Sequence, residues 1–177
     1  MEQLCYSPLD IAVIISSMDL SCQAQVKFME QIWAYERSFI QSIYRDNKRR
    51  LILDTAYWLT YLSEKPTIDV EFPMIQRDMI AIDKVLTEEM YITDHVDLDL
   101  FFKSMRLRIL YGDGKPYLRI KRRTLMKKYG YKRLSPILIE YFHQCISFYH
   151  LQPYMRGQIK CKIEDVGIDE MIVFRVI

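Results

Sequence analysis

In the first half of the chain, hydrophobic residues recur every three or four positions, a spacing typical of amphipathic helices. Ser7-Pro8 supplies the side-chain cap and the first-turn proline that favour a helix start. Helices are therefore predicted over 8–18, from Ser21 to about Asp46, from Leu51 to Leu62, and from Pro73 to Leu86. The acidic stretch 93–99 is predicted to be a connector, and we expect a domain boundary there.

After this connector the hydrophobic period changes to two, which indicates β-strands. Alternation over 105–111 and 118–121, around a Gly-Asp-Gly-Lys-Pro turn, predicts a β-hairpin with an apolar inner face. Its outer face would carry four basic residues, Arg106, Arg108, Arg119 and Lys121. Because like charges that face each other across strands are destabilising, we expect this face to meet phosphates or acidic side chains.

The next segment predicts two helices separated by a tight turn. A short helix over 124–129 would end at Gly130, where glycine suits a left-handed cap. Ser135-Pro136 would then start a second helix that runs to about Leu151. This layout is that of DNA-binding helix-turn-helix units.

The stretch RTLMKKYGYKRLSPILIEYF resembles the helix-turn-helix of winged-helix modules in bacterial regulators and defence-associated proteins. The resemblance covers residues 117–177 and implies a module that binds double-stranded DNA. With it, the chain is predicted to be an α+β protein with a helical N-terminal half. An acidic helical domain over 1–95, for dimerisation or partner docking, would precede a basic winged-helix-like domain over 96–177 with two β-hairpins.

The second of these hairpins is predicted from alternating stretches at 159–163 and 172–176, around a turn at Gly167, in the position of a wing. Its loop departs from the winged-helix pattern because it holds four acidic residues, Glu164, Asp165, Asp169 and Glu170. Acidic side chains would repel DNA. Either this loop points away from DNA, or the module binds protein.

Charge is sorted along the chain. Residues 1–102 carry a net charge of −8, residues 103–133 one of +11 and residues 134–177 one of −1, so the total of +2 hides a strongly basic segment. A polyanion would offset the self-repulsion of that segment. The alternative, which the sequence leaves open, is that the acidic first half docks on it.

Phosphate contacts are expected from the basic residues around the turn and on the first hairpin, and Gln144 of the second helix would read adenine. The predicted nucleic-acid-binding residues are Arg106, Arg108, Arg119, Lys121, Arg122, Arg123, Lys127, Lys128, Lys132, Arg133 and Gln144. The alternative interpretation of these side chains is an ordinary solvated surface.

Patterns for catalysis and metal binding are missing from the sequence. The four cysteines are not spaced as Cys-x-x-Cys, and the three histidines do not complete a zinc pattern. Glu140 and His143 form half of a Glu-x-x-His di-iron motif that has no second copy. We therefore predict no metal, no cofactor and no enzymatic activity, while a nuclease with scattered carboxylates stays open. The sequence shows no secretion signal and no long apolar run, which predicts a cytoplasmic protein without membrane contact.

Together, these observations predict a non-enzymatic protein that binds double-stranded DNA through a basic helix-turn-helix and hairpin. Its protein partner would be a second copy or a larger subunit. The alternative is a non-catalytic adaptor in a multiprotein complex, such as a bacterial defence or ATPase-associated assembly, that binds protein rather than DNA. The acidic loop and the very apolar helices at 21–62 favour this alternative.

Overall fold

The computed structural model describes residues 4–18, 20–63, 96–112, 114–128 and 131–177. The chain divides into two compact units, one within residues 1–86 and one within 87–177, and each has its own internal architecture. The predicted helix from Pro73 and the predicted cap at Gly130 lie outside the described residues. The predicted domain boundary between 95 and 96 stays a prediction.

The described part of the first unit contains the helices α1 (Pro8–Ser16), α2 (Cys22–Tyr35) and α3 (Lys48–Ser63). α1 begins as predicted, with a capping box. The hydroxyl of Ser7 accepts from the amide of Asp10 at 3.1 Å, and the Asp10 carboxylate accepts from the amide of Ser7 at 2.9 Å. A cap of this kind stabilises a helix by about 1 kcal/mol.

The single long helix predicted between positions 21 and 46 is wrong, because α2 ends at Tyr35 and two short 3-10 turns precede α3. The N-terminal segment explains this break. The amide of Tyr6 donates to the carbonyl of Phe39 at 2.7 Å, and the carbonyl of Tyr6 accepts from the amide of Gln41 at 3.1 Å. Backbone groups that pair with Tyr6 are not available to continue an α-helix.

The core of the first unit forms around α1, which is apolar on nearly every side. Ile11, Ala12, Ile14 and Ile15 are at most 1% exposed. Burial of each large aliphatic side chain contributes about 1.5–3 kcal/mol. α2 and α3 add buried side chains to the same unit, among them Phe28, Met29, Ile32 and Leu51.

The described part of the second unit combines three helices with one sheet. The helices are α4 (Val96–Tyr111), α5 (Arg122–Lys128) and α6 (Pro136–Phe148). The strands are β1 (Leu118–Lys121), β2 (Leu151–Met155), β3 (Ile159–Lys160) and β4 (Met171–Val176). The sheet is antiparallel with the order β1-β4-β2-β3, so the last strand lies between the first and the second. The predicted mixture of helix and sheet is confirmed.

One face of this sheet packs against the helices. Ile172 and Phe174 of β4 are fully buried, whereas Arg175 is exposed, since alternate residues of a strand point to opposite faces. The Phe102 ring of α4 lies edge to face against Phe142 of α6, at 5.9 Å between centroids, and against Phe174, at 6.0 Å. The opposite side, which we name the outer sheet face, carries Arg119, Lys121, Gln152, Tyr154, Lys160, Met171, Val173 and Arg175.

The first predicted hairpin is wrong, because residues 105–111 belong to α4. The alternation of basic and apolar residues was misleading since α4 buries basic side chains too, with Lys103 only 4% exposed and Arg106 only 7%. Buried charges are tolerated when they are hydrogen-bonded, so these polar positions do not mark the solvent side of the helix. Residues 96–99, which were expected in a connector, also lie in α4.

The second predicted hairpin has different partners from those expected. β4 pairs with β1 and β2, while β3 pairs with β2 instead of β4. α6 ends at Phe148 rather than near Leu151, because His150 adopts a left-handed backbone with φ of 49° and the chain turns into β2. The turn from β2 to β3 is also left-handed, at Gly157 with φ of 83° and Gln158 with φ of 61°.

Candidate nucleic-acid interface

α5 and α6 are the two helices that the sequence predicted for this region, although α5 begins two residues early. α6 starts as expected, because the hydroxyl of Ser135 accepts from the amide of Leu138 at 3.2 Å. The amide of Tyr131 donates to the carbonyl of Met126 at 2.9 Å, which ties the intervening chain back to α5.

Three of the predicted phosphate-binding residues are exposed at this connection. Lys127 lies in the last turn of α5, and Lys132 and Arg133 come shortly before α6. Within the described part of the chain, no ion pair joins any of them to an acidic side chain. The side chain of Lys128 lies outside the described residues. Unpaired cations beside a helix start suit contacts to a phosphate backbone.

α6 has one buried side and one solvent side. Leu138, Phe142 and Cys145 are at most 1% exposed, whereas Ile137 is 75% exposed and Gln144 is also exposed. Gln144 therefore has the accessibility that base contact requires.

Two residues predicted to contact nucleic acid, Arg106 and Arg108, lie on α4 and form hydrogen bonds within the second unit. Arg106 is buried, and its Nη1 donates to the carbonyl of Tyr149 at 2.5 Å. Arg108 is half-buried, and its Nε donates to the hydroxyl of Ser104 at 3.0 Å. Their assignment to an exposed hairpin is wrong, because both side chains lie on a helix and are hydrogen-bonded within the second unit.

The two arginines at the start of α5 are also engaged. Arg122 is half-buried, and its Nη1 donates to the carbonyls of Glu164 and Val166. Arg123 forms a two-pronged ion pair with Asp169, with N–O distances of 2.6 and 2.8 Å. The guanidinium of Arg123 lowers the pKa of the Asp169 carboxyl. Arg122 and Arg123 thus fasten α5 to the loop before β4.

The acidic residues of that loop are held by neighbours. His143 Nε2 lies 3.0 Å from a Glu164 carboxylate oxygen. Burial alone would raise the pKa of Glu164, but hydrogen bonds from its own backbone amide and from His143 outweigh it and lower the pKa. Glu170 accepts from the amide of Gly167 at 2.7 Å, and Arg123 neutralises Asp169. The charge of Asp169 is therefore compensated inside the unit, while Glu164 and Glu170 are hydrogen-bonded within it.

The outer sheet face holds a second set of basic residues. The register places Arg119 opposite Val173 and Lys121 opposite Met171. The like-charge pairs expected for a basic hairpin do not arise, because neutral residues of β4 separate the cations. The four strands of this sheet contain no acidic residue.

A groove of about 280 Å³ crosses this face. The guanidinium carbon of Arg175 lies 5.8 Å from the ring centroid of Tyr117 and 5.9 Å from that of Tyr154. Arg119, Arg156 and Gly157 also line the groove. Aromatic rings and cations therefore share one open surface.

Sequence reasoning missed the residues of this groove apart from Arg119. Arg156, Lys160 and Arg175 were counted in a segment with a net charge near zero, because the acids of the loop 164–170 cancel them in a linear sum. The alternation of Val173 and Arg175 with buried neighbours would have indicated their face. The pairing of β1 with β4, which brings Arg119 to them, is not readable from local sequence.

A buried polar cluster links α4 to α6. The hydroxyl of Tyr141 and the thiol of Cys145 both donate to Asp99, which is 2% exposed. Burial, together with the Asp99 charge, raises the pKa of Tyr141 and of the Cys145 thiol. A thiol held protonated in this way is a poor nucleophile and a poor metal ligand, and its contact with Asp99 connects α6 to α4.

Comparison of the chain with protein-family models, curated proteins and solved structures finds no match. The described residues contain no group of three or more His, Cys, Asp or Glu side chains arranged to hold a metal ion. Nor does the described part include a helix that is both long and apolar enough to span a membrane.

Proposed function

We propose that the second unit is a winged-helix module and that it binds double-stranded DNA through α5 and α6. The element order supports this: one helix, a strand, two helices and then a hairpin, with the last strand inserted between the other two. In this arrangement α6 is the recognition helix, and the loop 161–170 between β3 and β4 takes the position of the wing. Gln144 on its solvent side is the candidate base contact.

The observation that carries the proposal is the exposure of Lys127, Lys132 and Arg133 around the connection from α5 to α6. Arg122 and Arg123 fasten this region to the loop before β4, so it is supported by the rest of the unit. A helix start with three cations nearby gives sequence-independent affinity for phosphates. The ion pair of Asp169 with Arg123 reduces the repulsion that the acidic loop would exert on a nearby polyanion.

The test is fluorescence anisotropy of a labelled duplex of mixed sequence, titrated with the full chain. The affinity should fall by about tenfold or more between about 50 and 200 mM salt, as three or more phosphate contacts require. The variant K127E/K132E/R133E should weaken duplex binding by about tenfold or more at low salt. A control variant, R119E/R156E/R175E, changes the net charge equally on the outer sheet face and should bind duplex within about threefold of the native chain.

The proposal fails if the native chain does not bind duplex at low salt. It also fails if K127E/K132E/R133E, verified as folded by circular dichroism, binds like the native chain. Loss of duplex binding in the outer-face control alone would place the duplex on the sheet and would equally contradict the assignment to α5 and α6.

A second candidate function, the adaptor role, is favoured by apolar side chains exposed on the first unit. Leu53 and Tyr57, one helical turn apart on α3, are 56% and 61% exposed. Contiguous exposed apolar residues are typical of protein–protein contact surfaces. This role is compatible with DNA binding by the second unit, because the residues involved belong to different units.

A further inference from the structure

We infer that the outer sheet face is a separate binding site for a single strand of nucleic acid. The site is the groove formed by Tyr117, Arg119, Tyr154, Arg156 and Arg175. This inference concerns a surface that takes no part in the proposed duplex contact, so either can fail without the other.

The strand register arranges the site in two neighbouring rows. One row crosses all four strands and reads Arg119, Val173, Tyr154 and Lys160. In the next, Gln152 lies opposite Arg175, and Tyr117 directly precedes β1. A strand of nucleotides that crosses the sheet would meet a cation at either end of the first row and an aromatic ring between them.

The contact between Arg175 and the two tyrosines indicates which chemical groups the site can bind. A guanidinium within 6 Å of two ring centroids holds both rings beside one positive charge. Tyr117 and Tyr154 are half-buried, so each ring is partly exposed, and Lys115 Nζ places a second cation 5.7 Å from the Tyr117 centroid. Bases stack on such rings whatever their sequence, and each stacked base contributes about 1–3 kcal/mol.

These features favour a single strand over a duplex. In a duplex the base faces are stacked on one another, and the rings of a flat sheet would find only the backbone. A single strand presents base faces to Tyr117 and Tyr154 and phosphates to Arg119, Arg156 and Lys160 at the same time.

Charge complementarity supports a polyanion as the occupant. None of the four strands carries an acidic residue, and the groove is lined by three arginines. Asp169 lies close enough to Lys121 for that lysine to lower its pKa, but Lys121 is at the far end of β1 and does not line the groove. An acidic peptide would satisfy the charges without using the rings, and the test below separates the two.

The site and the α5–α6 surface are on different sides of the unit. Phe102 and Phe142 of the helices pack toward Phe174, which points to the inner face of the sheet. Arg175, the next residue on β4, therefore points away from the helices. A variant on one surface leaves the other intact.

The experiment measures anisotropy of labelled oligo-dT and oligo-U of about ten nucleotides with the full chain. Y117A/Y154A should weaken single-strand binding by about tenfold or more and leave duplex binding within about threefold. Y117F/Y154F should keep single-strand binding within about threefold, because stacking needs the ring and not the hydroxyl. The control Y35A removes an exposed tyrosine of the first unit and should have no effect.

Ultraviolet cross-linking to oligo-dT, followed by mass spectrometry, should place the adduct on the peptide with Tyr117 or Tyr154. A similar affinity for oligo-U and oligo-dT indicates that the site binds RNA and DNA alike. A preference above about tenfold for one of them indicates which nucleic acid the site binds. Both results support the inference.

The inference is overturned if Y117A/Y154A binds the oligonucleotides like the native chain, or if the adduct maps elsewhere. It is also overturned if K127E/K132E/R133E, and not R119E/R156E/R175E, abolishes single-strand binding. A loss in Y117A/Y154A of the same size for an acidic peptide as for the oligonucleotides would show that the rings do not act by stacking bases and would contradict the inference.

Discussion

At the scale of single residues, a basic side chain in this protein takes one of three environments. Arg106 is buried and bonded to a carbonyl, Arg123 is paired with a carboxylate, and Lys132 is exposed without a described partner. The three share a residue type and a strongly basic segment. Their environments follow from tertiary contacts, so the charge of +11 over 103–133 is divided among several surfaces rather than forming one continuous stripe.

The Glu164–His143 contact gives a prediction about pH. Because the pKa of Glu164 is lowered in the folded chain, its stabilising contribution is complete above the unfolded pKa of about 4.3 and is lost as the pH falls through the lowered value. E164Q should therefore lower the free energy of unfolding by about 0.2–1 kcal/mol at pH 5.5. The difference in stability between the variant and the native chain should shrink as the pH is lowered from 5.5 to 3.

Urea denaturation at the two pH values measures this difference. A double-mutant cycle with H143Q supplies the control, since E164Q should cost little once His143 is removed. An E164Q effect of the same size at pH 3 as at pH 5.5 would show that the contact does not depend on the carboxylate charge.

At the scale of elements, helix starts could be predicted from sequence and sheet partners could not. Ser7 and Ser135 both cap helices as expected, because a cap is a local hydrogen bond between residues three apart. The partner of β4 depends on residues more than 50 positions away on β1. Alternation indicates that a strand has two faces, but it carries no information about which strand lies beside it.

The error at α4 has a related cause. Basic residues were taken to mark a solvent-facing side, but Arg106 and Lys103 are buried in the second unit. The apolar residues Leu98, Phe102 and Met105, spaced by four and three, indicate the helix correctly. The exposure of Lys127, Lys132 and Arg133 agrees with what their local sequence indicated. The groove on the sheet could not be predicted, because strands distant in sequence form it.

Arg106 is expected to stabilise the packing of two elements, because its side chain joins α4 to the carbonyl of Tyr149 at the end of α6. R106M keeps an unbranched apolar side chain but removes the charged donor and leaves that carbonyl unsatisfied. The free energy of unfolding should fall by about 1–3 kcal/mol. Duplex affinity of the folded variant should stay within about twofold, since this side chain is buried.

Urea unfolding followed by circular dichroism tests this, with R119M as the matched control. Arg119 is exposed on the outer sheet face, so R119M should change stability by less than about 0.5 kcal/mol. Unchanged stability of R106M, combined with weakened duplex binding, would restore Arg106 as a DNA contact.

At the scale of the whole molecule, the two units differ in the kind of surface they offer. The first unit exposes large apolar side chains, among them Val26, Tyr35, Ile43 and Leu53. The second exposes most of its basic residues on two surfaces. Docking of acidic residues on the basic segment, which the net charges made plausible, stays a prediction.

We predict that the chain self-associates through its first unit. The native chain at about 50 μM should show a mass by light scattering about twice its 21.4 kDa, because a dimer would cover the exposed ridge of Leu53 and Tyr57. L53D should shift the chain to monomer. I137D, which changes a side chain 75% exposed on α6, is the control and should leave the mass unchanged. A native chain that is monomeric at this concentration would rule out a second copy as the partner.

The edges of the sheet bear on how the molecule assembles. The edge strands of the sheet are β3 and β1. β3 has only two residues, and β1 carries Arg119 and Lys121 at alternate positions. Short and positively charged edges discourage the addition of a foreign strand, which is the usual route from a sheet to fibrous aggregates. The basic side chains of β1 therefore disfavour this route to misassembly.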